Sequence, residues 1–288
     1  MNDFLAGTTN GLFMIKNDEV YRIFDKDTYF GISWDIKTLY LANREKRAII
    51  SINEKLSRIT AKWGFSGLHD IFYFDNKLYI VETQRNAISI YNFINKTLEK
   101  YHHLGYGYDR NHINNLFVYD NKLYVVEHNR TRNTGNKSRV AVYDFEKMKI
   151  IDYIDDVGIE SHNVYIEDDK MYVCSSMEEG VCIIDLNTNE REFINVGQYI
   201  YGLTRGLSAT NKYFYIGVSE YKERKRRHAG GTCHVLQFDR DWNLIDQIKI
   251  VQSSQLNEIR IMDEIDLCHN GIPFPREMDS RLLEIENI

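Results

Sequence analysis

The chain is poor in proline and cysteine and has no long apolar run. Two prolines in 288 residues leave the backbone few forced breaks, which suits extended strands joined by tight turns. The four cysteines, Cys174, Cys182, Cys233 and Cys268, include no C-x-x-C pair and no zinc-type spacing. Neither a disulfide scaffold nor a structural zinc site is expected. Reduced thiols are the expected state, although Cys174 and Cys182 are placed to oppose each other across the hairpin MYVCSSMEEGVCIID. No apolar stretch approaches the roughly 20 residues of a membrane-spanning helix. The opening MNDFLAGTTN lacks a basic segment followed by an apolar one, so no secretion signal and a cytoplasmic setting are expected. A net charge of -6 and a pI near 5.9 argue against a general nucleic-acid binder.

What the chain does have is apolar and aromatic residues in quantity. Its 43% hydrophobic content, with 20 Tyr and 14 Phe, is ample for a core and favours strands over helices. Self-similarity is the decisive feature. HDIFYFDNKLYIVETQRNAISIYNF from His69, NNLFVYDNKLYVVEHNRTRNTGNKSRVAVYDFE from Asn114 and HNVYIEDDKMYVCSSMEEGVCIIDLNTNE from His162 read nearly alike. Fainter copies start at Phe30 and Arg205. Each copy has a short alternating strand, an Asp-Asn-Lys type turn, a second strand reading L-Y-x-V, a polar loop, a third strand and a weaker fourth. Four strands per repeat make a propeller blade.

Aligned on the D-N-K-L-Y turn, the blades begin near Phe30, His69, Asn114, His162, Arg205 and Asn257, at intervals of about 40 to 50 residues. The sixth copy holds only its first strand. The missing three appear at the other end, where DFLAGT, GLFMI and EVYRIFD within residues 3–25 read as second, third and fourth strands. The expected fold is all-β: a single six-bladed β-propeller domain of four-stranded antiparallel blades, whose last blade is closed by N-terminal strands. Residues 264–288 would form a capping tail. On this repeat grammar the chain resembles the broad group of six-bladed propellers that includes the gluconolactonase, paraoxonase and strictosidine synthase families and the NHL-repeat proteins. The resemblance is one of fold, because such propellers host hydrolases, lyases, isomerases and binding scaffolds alike.

In such a fold the first strand of each blade lines a central channel, and candidate site residues lie at its starting end. The aligned residues are Phe30, His69, Asn114, His162, Arg205 and Asn257; the next are Gly31, Asp70, Asn115, Asn163, Gly206 and Glu258; the next are aliphatic in every copy. Two ligand chemistries compete. Asp70, Asn115, Asn163 and Glu258 supply the oxygen donors that Ca²⁺ accepts, and the resemblance to lactonase-like propellers implies an axial divalent metal on residues of that type. His69, His162 and His112 would instead suit Mn, Fe, Cu or Zn. Strand alternation says that both sets cannot face the axis equally. A metal-free acid/base site on His69 and His162 is a further reading, and a purely structural ring, in which these residues cap turns and hydrogen-bond between blades, is another. At the second-strand ends Glu82 and Glu127 are candidate bases, with His128 and Asn129 beside Glu127.

Two loops, NRTRNTGNKSR (129–139) and YKERKRRHAGG (221–231), are strongly basic. Through Arg130, Arg132 and Arg226, together with Arg205 and His112, they would orient an anionic substrate. The function expected is a hydrolase or lyase acting on an anionic small molecule, with a divalent metal; the alternative is a non-catalytic propeller that binds a protein partner or an anionic glycan. Nucleic acid is not an expected ligand, since the aromatics fall at strand-core positions and are not interleaved with the loop cations.

Overall fold

A computed structural model describes residues 1–25, 27–53, 55, 58–61, 64–103, 107–129, 136–221, 230–279 and 281–287. Six four-stranded antiparallel sheets form within it, and the fold is the six-bladed β-propeller that the repeat predicts. Strands β1 (Phe4–Thr8), β2 (Gly11–Lys16) and β3 (Glu19–Asp25) share a sheet with β24 (Leu256–Ile261) in the order β24-β1-β2-β3. The last blade is thus closed by the N-terminal strands. The other blades take consecutive strands: β4 (Tyr29–Trp34) to β7 (Arg58–Ala61), β8 (Leu68–Phe74) to β11 (Thr97–His102), β12 (Ile113–Tyr119) to β15 (Lys149–Ile154), β16 (Ser161–Glu167) to β19 (Arg191–Asn195) and β20 (Leu203–Ala209) to β23 (Leu244–Ile250).

The repeated turn explains the hairpins. Asp75 and Asn76 have φ of 46° and 54°, Asp120 and Asn121 46° and 54°, and Asp168 and Asp169 48° and 58°. Two successive left-handed residues make a type I′ turn, whose twist matches the flanking strands and which Asp and Asn tolerate best after glycine. Across the hairpin MYVCSSMEEGVCIID, Cys182 pairs with Val173 and Cys174 with Val181. The two thiols therefore sit on opposite faces of the sheet, correcting the expectation that they oppose each other, and all four cysteines are free.

Contacts divide the chain into two compact units, Ser66–Arg205 and Met1–Phe65 with Gly206–Ile288. In the first, the central unit, three blades pack through their first strands. Ile71, Leu116 and Val164 are buried, and the next residues, Phe72, Phe117 and Tyr165, meet edge to face at 5.7 and 5.6 Å. In the second, the split-chain unit, Ile32, Leu207 and Ile259 are likewise buried, but Ser33, Ser208 and Arg260 follow them. Residues beyond β24 pack against these strands. Asp266 accepts from the Ile261 and Cys268 N–H groups, both at 2.9 Å, and Leu267 N–H donates to the Ala209 carbonyl. His269 stacks on Trp34 at 3.9 Å, Phe274 meets Trp34 edge to face, and Met278 and Leu282 complete the core.

Candidate functional site

The site is built on a recurrent irregularity. In β8, Leu68 pairs with Glu82 and Asp70 with Val81, so His69 is an extra residue. In β12 the extra residue is Asn114, and in β16 the register shifts between His162 and Val164. A β-bulge therefore stands at the start of each first strand of the central unit, with two residues opposing one. Strict alternation fails there, which corrects the expectation that adjacent residues must face opposite ways. His69 and Asp70 both reach toward the next blade. His69 lies 5.7 Å from the His112 ring, and Asp70 Oδ2 accepts from Leu116 N–H at 3.1 Å.

The oxygen donors act as staples between strands. Asp70 Oδ1 accepts from Ile71 N–H at 2.8 Å, and Asn115 Oδ1 accepts from Asn163 N–H at 2.9 Å. Glu258, in the split-chain unit, pairs with Arg260 at 2.7 Å. Bulged strands leave backbone donors unmet, and the Asp70 and Asn115 oxygens meet them. Among the described residues no group of three or more His, Cys, Asp and Glu side chains is disposed to hold a metal ion.

Glu82 and Glu127, the candidate bases, are likewise held in hydrogen bonds and ion pairs. Glu82 accepts from Ser66 N–H at 3.0 Å, Arg85 at 2.9 Å and Ser89 at 2.6 Å, and pairs with Lys100 at 2.6 Å. Glu127 binds His103, Arg139 and Asn111. Burial pushes the Glu127 carboxyl up, but the His103 and Arg139 contacts outweigh it and hold it below the usual carboxylate range. Both carboxylates tie their blades together.

What converges instead is imidazole. His69, His112, His128 and His162, all in the central unit, form a closed circuit of ring contacts: His69–His112 5.7 Å, His112–His128 4.5 Å, His128–His162 5.1 Å and His162–His69 5.4 Å. His69, His128 and His162 are buried, as is Arg205. Burial, followed by the repulsion of Arg205 and the neighbouring rings, holds His162 well below the ordinary imidazole value; for His128 burial comes first, then His112 and Arg205. Both are neutral near pH 7.

The hydrogen bonds of His162 fix where its proton sits. Nδ1 lies 2.7 Å from the Glu160 carbonyl oxygen, which only accepts, and 3.0 Å from Ser176 Oγ. Ser176 donates its own proton to the Thr204 carbonyl at 2.9 Å. The Nδ1–H tautomer follows, leaving the buried Nε2 as a bare acceptor with no hydrogen-bond partner among the described residues. At the other side of the circuit His112 Nδ1 meets Asp109 Oδ1 at 2.7 Å. Asn114 donates to the Ser161 carbonyl at 2.8 Å and lies 2.9 Å from His128 Nε2.

Of the residues singled out from sequence, the fold gathers His69, His112, His128, His162 and Arg205. It holds the side chains of Asp70, Asn115, Glu82, Glu127 and Glu258 in hydrogen bonds or ion pairs and engages Asn163 through its backbone N–H, and Arg130, Arg132 and Arg226 lie outside the described residues. Sequence reasoning missed Asp109 and Ser176. Ser176 had a signal: it follows the second-strand end as Thr83 and His128 do, and Thr83 likewise donates to the carbonyl at the next blade's entry, that of Ile113 at 2.6 Å.

No protein-family profile and no curated protein matches the sequence. Solved structures match the fold. A propeller in the nidogen/laminin complex superposes with a TM-score of 0.68 at 9% identity, covering 90% of this chain and 97% of that one. The calcium-binding protein regucalcin from Agrobacterium tumefaciens gives 0.60 at 14% identity, over 80% and 76%. Virginiamycin B lyase from Staphylococcus aureus gives 0.53 at 8%, over 81% and 95%. At these identities the likeness is one of architecture. No helix among the described residues is long and apolar enough to cross a membrane.

Proposed function

We propose that the imidazole cluster is the site of a hydrolase or lyase for an anionic small molecule, in which His162 acts as general base. The observation that carries this reading is the buried, partnerless His162 Nε2 in the field of Arg205. A neutral imidazole with its tautomer fixed removes a proton from water or from carbon without first losing one of its own. Arg205 supplies positive potential for an anionic group in a site shielded from water. Its charge also opposes a divalent cation, so no step is assigned to a metal. The structural likeness to virginiamycin B lyase is compatible with propeller-borne catalysis.

The test is turnover of a panel of carboxylated and phosphorylated esters and lactones by the wild-type protein, by His162→Asn, and after dialysis against a chelator. A fall in kcat/KM of about 10²–10⁴-fold in the variant, with no effect of the chelator, is expected. Equal rates for the variant, or loss of activity on chelation, would overturn the assignment. A second reading is a non-catalytic propeller that binds a protein or an anionic glycan. Tyr108 and Tyr201 favour it: they are 73% and 70% exposed on the segments leading into β12 and β20, a few positions ahead of His112 and Arg205 in the chain. Binding without turnover of any compound in the panel would select it.

A further inference from the structure

We propose that Asn270 and Gly271 form a self-modifying step beyond β24, at which the chain converts its own asparagine to aspartate and isoaspartate and so loosens the tail around Trp34. The step lies wholly within the split-chain unit and is independent of the imidazole cluster.

Asparagine followed by glycine is the pair in which a backbone nitrogen most easily reaches the preceding side-chain carbonyl, because glycine has no Cβ to block the approach and adopts most φ/ψ values without strain. The chain has two such pairs, Asn10–Gly11 and Asn270–Gly271, and the fold treats them oppositely. Asn10 is pinned. Its Nδ2 donates to the Gln252 carbonyl at 2.6 Å and its N–H to Thr8 Oγ1 at 3.1 Å. Gly11 is buried in β2, pairing with Thr8 on one side and Asp25 on the other, and a Cβ there would meet the Phe24 carbonyl oxygen at 2.4 Å. The Gly11 nitrogen reaches the Asn10 side chain only by leaving the ladder.

Asn270–Gly271 is open. Gly271 is exposed and outside any strand, with a φ of 76° and nothing within 4 Å of where a Cβ would stand. The Ile272 N–H donates to Asn270 Oδ1 at 3.1 Å, which folds the side chain back along the segment that follows it. The same bond stabilises the oxygen that takes the charge when Cγ becomes tetrahedral. The Gly271 nitrogen gives up its proton to solvent base and bonds to Cγ; the Cγ–Nδ2 bond breaks and ammonia leaves. The resulting succinimide takes up one water. Opening at Cγ yields aspartate, and opening at the main-chain carbonyl carbon yields isoaspartate, whose backbone runs through one additional carbon.

The contacts of Trp34 make that carbon consequential. They come from both sides of the step: the Trp34 ring stacks on His269 at 3.9 Å, its Nε1–H donates to the Ile272 carbonyl at 2.9 Å, and Phe274 meets it edge to face at 5.2 Å. A longer backbone between His269 and Ile272 shifts the later contacts against the earlier one, and a buried N–H that loses its acceptor is destabilising.

Peptide mapping by mass spectrometry after prolonged incubation in mildly alkaline buffer tests this, with isoaspartate identified by enzymatic carboxyl methylation. Conversion at Asn270 should run at least about tenfold faster than at Asn10. The urea midpoint of the aged protein should lie below that of the fresh protein. In Asn270→Ser, which keeps an oxygen to accept from the Ile272 N–H, ageing should leave the midpoint in place. Equal rates at the two pairs, or faster conversion at Asn10, would overturn the site. Conversion at Asn270 with no fall in midpoint, or an equal fall in the variant, would overturn its effect on the tail. The wild-type peptide map decides the first point whether or not the variant folds.

Discussion

The two units solve one packing problem in opposite ways. After the buried aliphatic of each first strand, the central unit places Phe72, Phe117 and Tyr165, which fill the space with their own edge-to-face contacts. The split-chain unit places Ser33, Ser208 and Arg260 there and brings in Asp266, His269 and Phe274 from beyond β24. Their arginines differ correspondingly. Arg260 has Glu258 at 2.7 Å and the Ile32 and Ile259 carbonyls at 3.2 and 2.9 Å, while Arg205 acts on imidazoles held neutral by burial. One repeat thus accommodates a paired buried arginine in one unit and a cluster of neutral imidazoles in the other.

The largest effect should come from breaking the arginine pair. Arg260→Met leaves Glu258 and Asp266 buried without their cation. Removing one partner of a buried pair typically costs about 3–5 kcal/mol, because the remaining charge is uncompensated. Urea denaturation should show the transition moving to much lower denaturant. A loss below about 1 kcal/mol would mean that the tail is held by its backbone hydrogen bonds and apolar contacts without help from the arginine.

How much of this was legible follows from the physics of each element. The blades were, because Asp-Asn turns, period-two strands and a fixed repeat all point to one fold. Closure of the last blade was legible from a lone first strand toward one end and three further strands at the other. His69, His162 and Arg205 were found because alignment on the turn places them at one level. The bonds of Asp70 and Asn115 to neighbouring strands were not, because a bulge adds one residue without any mark in composition. Gly206 shows the same limit. Its φ of 81° and the 3.0–3.1 Å approach that a Cβ would make to Ile259 and Leu256 explain why that blade carries no side chain where the three blades of the central unit carry Asp70, Asn115 and Asn163. Asp109 was invisible since a loop residue three positions before a histidine has no periodic signature.

Acid should act on both units through buried neutral rings: His128 and His162 in the central unit and His269 in the split-chain unit, each held well below the ordinary value of 6.5. For His269 burial is the first cause and Arg260 the second. Its Nε2 also accepts from Trp34 N–H at 3.2 Å, a role that protonation abolishes. Above pH 6.5 these rings are uncharged in both the folded and unfolded chain, and stability is flat with respect to them. Below it the unfolded chain binds protons that the folded chain refuses, so stability falls as pH falls until the folded values are reached. The slope is about 1.4 kcal/mol per pH unit for each ring. Denaturation midpoints measured between about pH 7 and pH 5 should decline, and His269→Gln should remove one ring's share. An unchanged slope in that variant would show that His269 titrates freely.

The smallest expected effect separates staple from ligand in the central unit. Asp70→Asn keeps an oxygen to accept from Leu116 N–H, the bond now made at 3.1 Å, but gives up the second acceptor, which meets Ile71 N–H at 2.8 Å, and removes the charge. If the side chain serves to join two first strands, this change should cost about 1 kcal/mol, whereas Asp70→Ala leaves both N–H groups unmet and should cost about 1–3 kcal/mol. A carboxylate that held a divalent ion would give the reverse pattern in function: both variants would lose ion-dependent stabilisation, the amide nearly as badly as the alanine, because the charge is what the ion needs. Melting curves of the two variants with and without added Ca²⁺ carry the decision. A Tm that rises with Ca²⁺ in the wild type and in neither variant would return Asp70 to the role of ligand. Equal curves with and without the ion, and a drop larger in the alanine than in the amide, leave it as the bond between two blades.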